Sequence, residues 1–281
     1  MSRIYRALEK VEEEKKQRII EEPSPKVFEE KAILKKEVPT LKFPEERVKK
    51  EGFPSKEIAP VLIVPPHSFG AEAFRKLKTQ IFLQPGNSPR SILVTSAAPQ
   101  EGKTLVAVNL AVAISTEIHN DVILVDGDLR KPSIHLENIQ STKGLSNYLS
   151  DGTPLSEILI KSEIKKLRII LAGSSTPKSS ELIRSRKMGD LLQSLREFGD
   201  NTYIIIDSPP IIATADPSLL CKLVDAVILV VKGGYTSRES VQNAIKSIDR
   251  QKIIGVVFNQ IDIKPSSYFS EYYRYYQYYR R

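Results

Sequence analysis

Beyond residue 61 the chain alternates short, nearly continuous apolar runs with longer stretches of helical periodicity. Residues 92–95, 122–125, 167–171, 203–206, 226–231 and 254–258 are rich in Ile, Val and Leu and too short for stable helices. Runs of that kind are what strands buried on both faces require. Residues 69–83, 103–116, 180–198 and 237–250 carry helical patterns between most of them. Strand and helix in alternation predict an α/β fold: a mostly parallel β-sheet flanked by helices on both faces.

Upstream the texture differs. Residues 2–20 predict a helix, with Ser2 able to cap it and Ile4, Leu8 and Val11 on one face. Residues 21–60 mix Glu, Lys and Pro with few apolar anchors, and Pro23, Pro25, Pro39, Pro44, Pro54 and Pro60 forbid long helices. This reads as a disordered linker. The organisation is therefore 1–60, an N-terminal helix and charged linker; 61–263, the folded domain; and 264–281, a flexible tail.

The formal net charge of +8 raises the question of a nucleic-acid partner. The charge is scattered, however. Residues 1–60 carry 15 basic and 13 acidic side chains, and the tail holds Lys264, Arg274, Arg280 and Arg281 against Glu271. No basic stripe remains for the folded domain, so no nucleic acid is expected, while an anionic membrane surface suits the tail. Cys221 is the single cysteine, which excludes a disulfide framework and predicts a buried small side chain at a helix end. The start of the chain has no apolar signal core, and no apolar run is long enough for a bilayer. A cytoplasmic protein, recruited to the inner face of the membrane by a partner, is expected.

Chemistry concentrates where the first of these strands meets its helix. The loop Ala97, Ala98, Pro99, Gln100, Glu101, Gly102, Lys103, Thr104 leads from an apolar run into a helical stretch. A helix N-terminus offers free N–H groups and a positive dipole end, so it attracts phosphate. Gly102 permits close backbone approach, Lys103 reaches the β- and γ-phosphates, and the Thr104 hydroxyl suits Mg²⁺. Ala97 stands where the usual first glycine falls, which is tolerable at negative φ. Asp126, Asp128 and Asp207 lie just past strand ends, where carboxylates can hold the waters of a magnesium ion. Mutual repulsion within such a trio calls for a cation.

With these motifs the chain resembles the bacterial tyrosine kinases of capsule and exopolysaccharide systems, phosphate-loop proteins related to the MinD and ParA ATPases. The residues from Thr95 to Thr104 resemble that family's Walker A, with Gln100 replacing a glycine. Leu124-Val125-Asp126-Gly127-Asp128-Leu129-Arg130-Lys131-Pro132 matches its Walker A′ throughout, and Asp207-Ser208-Pro209-Pro210 resembles its Walker B, with Asp216 at the family's spacing. The resemblance implies that Lys103 and Thr104 serve ATP and Mg²⁺, that Thr104, Asp128 and Asp207 hold the metal and its waters, and that Asp126, with Lys103 and Asp128, carries the catalysis by accepting the tyrosine's proton. Asn259 and Asp262 resemble a purine-side motif, a turn role being the alternative.

Glu72, Arg75 and Lys78 resemble a helix motif that joins the family's subunits into a ring. Lys78 replaces an arginine there, and an intrahelical Glu72–Arg75 pair is the competing reading. Residues 176–182 resemble a family loop at the subunit face but lack its Asn and two of its prolines. The family implies a membrane-bound polysaccharide co-polymerase as activator, acting through a cytoplasmic tail, and self-association.

The tail holds Tyr268, Tyr272, Tyr273, Tyr275, Tyr276, Tyr278 and Tyr279. Given the kinase motifs, it reads as an autophosphorylation cluster. Three functions compete: a protein-tyrosine autokinase regulating polysaccharide polymerisation or export, a MinD/ParA-like positioning ATPase, and a non-enzymatic nucleotide-binding scaffold. The absence of a lysine at Ala98 and the presence of the tyrosines favour the kinase.

Overall fold

The computed structural model describes residues 63–84, 88–136, 143–199 and 201–261. All of them fall within one compact unit, Lys50–Arg281. The predicted N-terminal helix, the linker, Asp262 and the tail tyrosines lie outside the described residues.

The elements in chain order are α1 (Phe69–Phe82), β1 (Ser91–Ser96), α2 (Lys103–Ser115), β2 (Asp121–Asp126), α3 (Leu145–Asp151), α4 (Leu155–Ile158), β3 (Leu159–Lys161) and β4 (Leu167–Ile170). They continue with α5 (Ser179–Arg184), α6 (Arg186–Arg196), β5 (Thr202–Asp207), α7 (Asp216–Leu223), β6 (Ala226–Lys232), α8 (Arg238–Lys246) and β7 (Ile253–Asn259). The seven strands form one sheet in the order β3-β4-β2-β5-β1-β6-β7. Every pairing is parallel except that of β3 with β4.

Strand alternation divides the core in two. Leu93, Ile123, Val125, Ile204, Ile206, Val227 and Leu229 point to one face, where Leu145, Ile183, Met188, Leu191, Leu220 and Ala244 cover them. Ile92, Val94, Val122, Leu124, Ile205, Ile228 and Val230 point to the other, beneath Ile81 of α1 and Val106, Leu110 and Ile114 of α2. Each such side chain, fully withdrawn from water, contributes about 1.5–3 kcal/mol. Apolar residues on both faces are the reason these runs carry no polar alternation. Cys221 is buried and free, as its place near the end of α7 predicts.

The structure departs from the sequence expectation in three places. The helix expected over 180–198 is two helices, broken at Ser185, which adopts φ −65° and ψ 153° and donates its hydroxyl to the Leu182 carbonyl at 2.6 Å. Ile183 and Met188 both enter the core. In one continuous helix, residues five apart lie about 140° apart around the axis, so the extended residue re-aims the second helix. The expected helix over 237–250 ends at Lys246 and is followed by a separate 3-10 turn at Arg250–Lys252. The short antiparallel strand β3 and the helices α3 and α4 follow no pattern long enough to read.

Candidate active site

The phosphate loop joins the end of β1 to the start of α2. Gln100 takes φ 62°, the left-handed conformation for which the expected glycine is suited, and Gly102 takes φ 87°. Ala97 does not adopt positive φ, as its replacement of a glycine requires, and is fully buried. A Cβ on Gly102 would fall 2.0 Å from Asn259 Nδ2. Glycine is therefore demanded twice over, by conformation and by space. No side chain caps α2 and no acidic residue stands in its first turn, which leaves the amides at its N-terminus available to an anion.

A buried polar lock holds this loop against the C-terminal ends of β6 and β7. The Glu101 carboxylate is fully buried. It accepts the Ala98 amide at 2.8 Å and the Thr236 hydroxyl, and Thr236 in turn accepts the Lys232 amide at 3.1 Å. Asn259 Nδ2 donates to the Glu101 carbonyl at 2.9 Å. Asn259 thus stands beside the loop and holds its backbone.

The sheet order sets β2 directly beside β5, with Asp126 and Asp207 as register partners. Thr104, the second residue of α2, donates its hydroxyl to Asp207 Oδ2 at 2.6 Å. Lys103 Nζ lies 3.7 Å from Asp128 Oδ2, 3.8 Å from Asp207 Oδ1 and 3.3 Å from Thr104 Oγ1. Asp128 Oδ1 accepts the Lys131 amide at 2.9 Å. Asp126 is wholly enclosed. Its Oδ1 accepts the Asp128 amide at 3.1 Å, and its Oδ2 accepts the amides of Ser133 and Ile134 at 3.1 and 3.0 Å.

Burial dominates the titration of this cluster. Loss of water, then the neighbouring Asp207 carboxylate, raises the Asp126 carboxyl from 3.8 to about 7 against the pull of its backbone donors. Asp207 is also raised, by burial foremost, while Lys103, Thr104 and Ser133 oppose the shift. The Lys103 ammonium and the backbone amides are the compensation this structure provides for the carboxylates. Among the described residues no three acidic, His or Cys side chains converge on one point as a direct ion cage.

The residues nonetheless fit a nucleotide with a divalent cation. Asp207 Oδ1 is buried with no hydrogen-bond partner, facing the Lys103 ammonium, beside a threonine hydroxyl at an uncapped helix start. One carboxylate, one hydroxyl and retained waters are the donor set Mg²⁺ prefers.

Two features escaped the sequence reading. Ser133 places its hydroxyl 2.9 Å from Thr104 Oγ1 and 3.2 Å from Asp207 Oδ2. Its one sequence signal was a position directly after Pro132, within reach of Asp126. The second is a network around fully buried Asp216. Its Oδ2 accepts the Ser179 hydroxyl at 2.7 Å and Arg130 Nε at 3.3 Å, its Oδ1 accepts the Ser180 hydroxyl, and Arg130 Nη2 donates to Ser180 Oγ at 3.1 Å. The Asp128-bearing loop is thereby pinned to the start of α5, within the segment that resembles the subunit-face loop.

The expected interface residues lie on α1, away from this cluster. Arg75 Nε donates to Glu72 Oε2 at 2.7 Å within the helix, which is the competing intrahelical pair, and Arg75 Nη1 reaches the Pro66 carbonyl at 3.3 Å. Lys78 is buried and paired with Glu117.

Fold and site define an α/β phosphate-loop domain built to hold a nucleoside triphosphate. A family model described as an AAA domain matches residues 92–260. The tyrosine-protein kinase YwqD of Bacillus subtilis (strain 168) is 32% identical over 203 residues, covering 71% of this chain and 84% of its own. The tyrosine-protein kinase CpsD of Streptococcus pneumoniae serotype 4 (strain ATCC BAA-334 / TIGR4) is 33% identical over 202 residues, covering 70% and 87%. The crystal structure of the chimerical protein CapA2B2 aligns with TM-score 0.64 at 32% identity, over 70% of this chain and 87% of that one. The chain belongs to the bacterial tyrosine-protein kinase family, whose phosphate loop serves a nucleotide.

Proposed function

We propose that this chain transfers the γ-phosphoryl group of ATP to tyrosine hydroxyls, its own tail cluster foremost, and thereby regulates exopolysaccharide or capsule polymerisation or export. The observation that carries the reading is the placement of Lys103 between Asp128 and Asp207, beside the Thr104 hydroxyl that Asp207 holds. Lys103 would neutralise charge on the transferred group, and the loop amides from Gln100 to Thr104 would cradle the phosphates. Thr104, Asp128 and Asp207 would hold Mg²⁺ and its waters. When bound, that ion supplies charge neutralisation across the phosphates.

A phenol with pKa about 10 is a poor nucleophile at neutral pH. Its oxygen forms the new bond to the γ-phosphorus while the bond from that phosphorus to the bridging oxygen of ADP breaks. Asp126 would take the phenolic proton as the new bond forms. The amides of Ser133 and Ile134 hold Asp126 Oδ2 and so fix the orientation of this carboxylate. Each transferred phosphate adds roughly −1.5 to −2 charges, so two or three of them reverse the sign of the basic tail. The modified tail would then be repelled by the acidic cluster and bound nucleotide.

A membrane-bound polysaccharide co-polymerase with a cytoplasmic tail is the proposed activator, in keeping with the relative named for the cps region of Klebsiella pneumoniae. Among the described residues no helix is long and apolar enough to cross a membrane. Self-association would use Glu72 and Arg75, whose side chains stay partly exposed, with Lys78 serving the fold through Glu117.

Incubation with γ-labelled ATP and Mg²⁺, with the partner tail supplied, is the test. Label on phosphotyrosine that Lys103→Met abolishes is expected. Free phosphate alone would favour a positioning ATPase, and no turnover at all would favour a scaffold.

A further inference from the structure

We propose that Ser133 is a further member of the cation site, a positioning residue whose hydroxyl holds Thr104 and Asp207 in the arrangement that receives the metal. The inference rests on the kinase reading of the same site. Ser133 bridges the parts of that site that the sequence presents as separate motifs. Its amide donates to Asp126 Oδ2 at 3.1 Å, and its hydroxyl lies 2.9 Å from Thr104 Oγ1 and 3.2 Å from Asp207 Oδ2. The fold sets it there deliberately. Pro132 brings no N–H of its own, and the buried side chain of Ile134 anchors the next position in the core.

Proton counting gives the hydroxyl its task. Thr104 spends its single proton on Asp207 at 2.6 Å. Its oxygen lies within reach of Lys103 Nζ at 3.3 Å and of the Ser133 hydroxyl, so its lone pairs are engaged. Thr104 could offer a lone pair to a cation only if one of those donors gave way. Ser133 has a second acceptor at hand in Asp207 Oδ2, so its proton can turn there and keep that oxygen hydrogen-bonded. The Ser133 oxygen would then be left to accept a hydrogen bond from a water that the cation retains.

Calorimetry of ADP binding with and without Mg²⁺ tests this on the full chain. In Ser133→Ala the backbone bond to Asp126 survives, so only the hydroxyl is lost. The tightening of ADP by Mg²⁺ should shrink roughly tenfold in that variant, the order of one hydrogen bond to a charged group. Ser133→Thr should restore the metal effect. An unchanged magnesium effect in Ser133→Ala, whatever happens to its melting temperature, overturns the proposal for Ser133 alone. A wild-type protein that shows no magnesium-linked ADP affinity overturns the site reading, and the role of Ser133 with it.

Discussion

Asp126 and Asp207, separated by 80 intervening residues in the sequence, are register partners on adjacent parallel strands, and the Asp207 carboxylate is the one that the Thr104 hydroxyl grips. That pairing brings the second and third nucleotide motifs to the mouth of the first. Thr104→Ala removes the hydroxyl and leaves the buried Asp207 carboxylate short of a donor. Tyrosine phosphorylation should fall about 100-fold or more. Thr104→Ser should retain most of it. Steady-state phosphotransfer at saturating ATP and magnesium measures both, and equal loss in the two variants would contradict the assignment.

The raised Asp126 carboxyl makes the nucleotide-free protein sensitive to pH. Its folded value of about 7 exceeds the ordinary carboxylate value, so the folded state binds more protons than the unfolded chain between the two. The stability it contributes is complete below about 4 and is lost as pH rises through about 7. Asp207, Asp128, Lys103, Thr104 and Ser133 face the same space, and Asp207 shifts in the same direction. Melting of the free protein should therefore drop by a few degrees between about pH 6 and about pH 8. A melting curve that rises over that interval would contradict this.

Gly102 and Asn259 are in steric conflict for any larger residue. Gly102→Ala should weaken ADP binding, both by strain at φ 87° and by collision with Asn259 Nδ2. The left-handed conformation alone costs alanine about 1 kcal/mol. Adding Asn259→Ala removes the collision and should recover part of the affinity. Calorimetric ADP affinities of the two single variants and the double variant give the coupling.

Asp216 should act on stability through the loop it anchors. Asp216→Ala leaves the hydroxyls of Ser179 and Ser180 and the Arg130 guanidinium without their shared acceptor. A loss of about 2 kcal/mol is expected in denaturant unfolding. Asp216→Asn, which keeps one carbonyl acceptor, should lose less.

Cys221 should be inert while the protein is folded. Burial pushes its thiol up, and it is almost fully enclosed. A thiol reagent at neutral pH should label it slowly in the native state and rapidly in denaturant.

Much of this protein is legible in one dimension. Apolar runs at 92–95, 122–125, 203–206 and 226–231 became central strands because both faces of a parallel sheet are covered, a demand each run meets by itself. Lys103, Thr104, Asp126, Asp128 and Asp207 were nameable because phosphate and magnesium chemistry constrains residue type and spacing locally. The break at Ser185 was not, since it answers to which side of a helix meets the core. Nor were the roles of Glu101, Ser133 and Asp216, whose partners come from distant segments. Composition and short-range order fixed the class of chemistry. Strand order then decided which carboxylate faces which, because a hydrogen bond or ion pair depends on distance in space, and parallel crossovers bring together positions far apart along the chain.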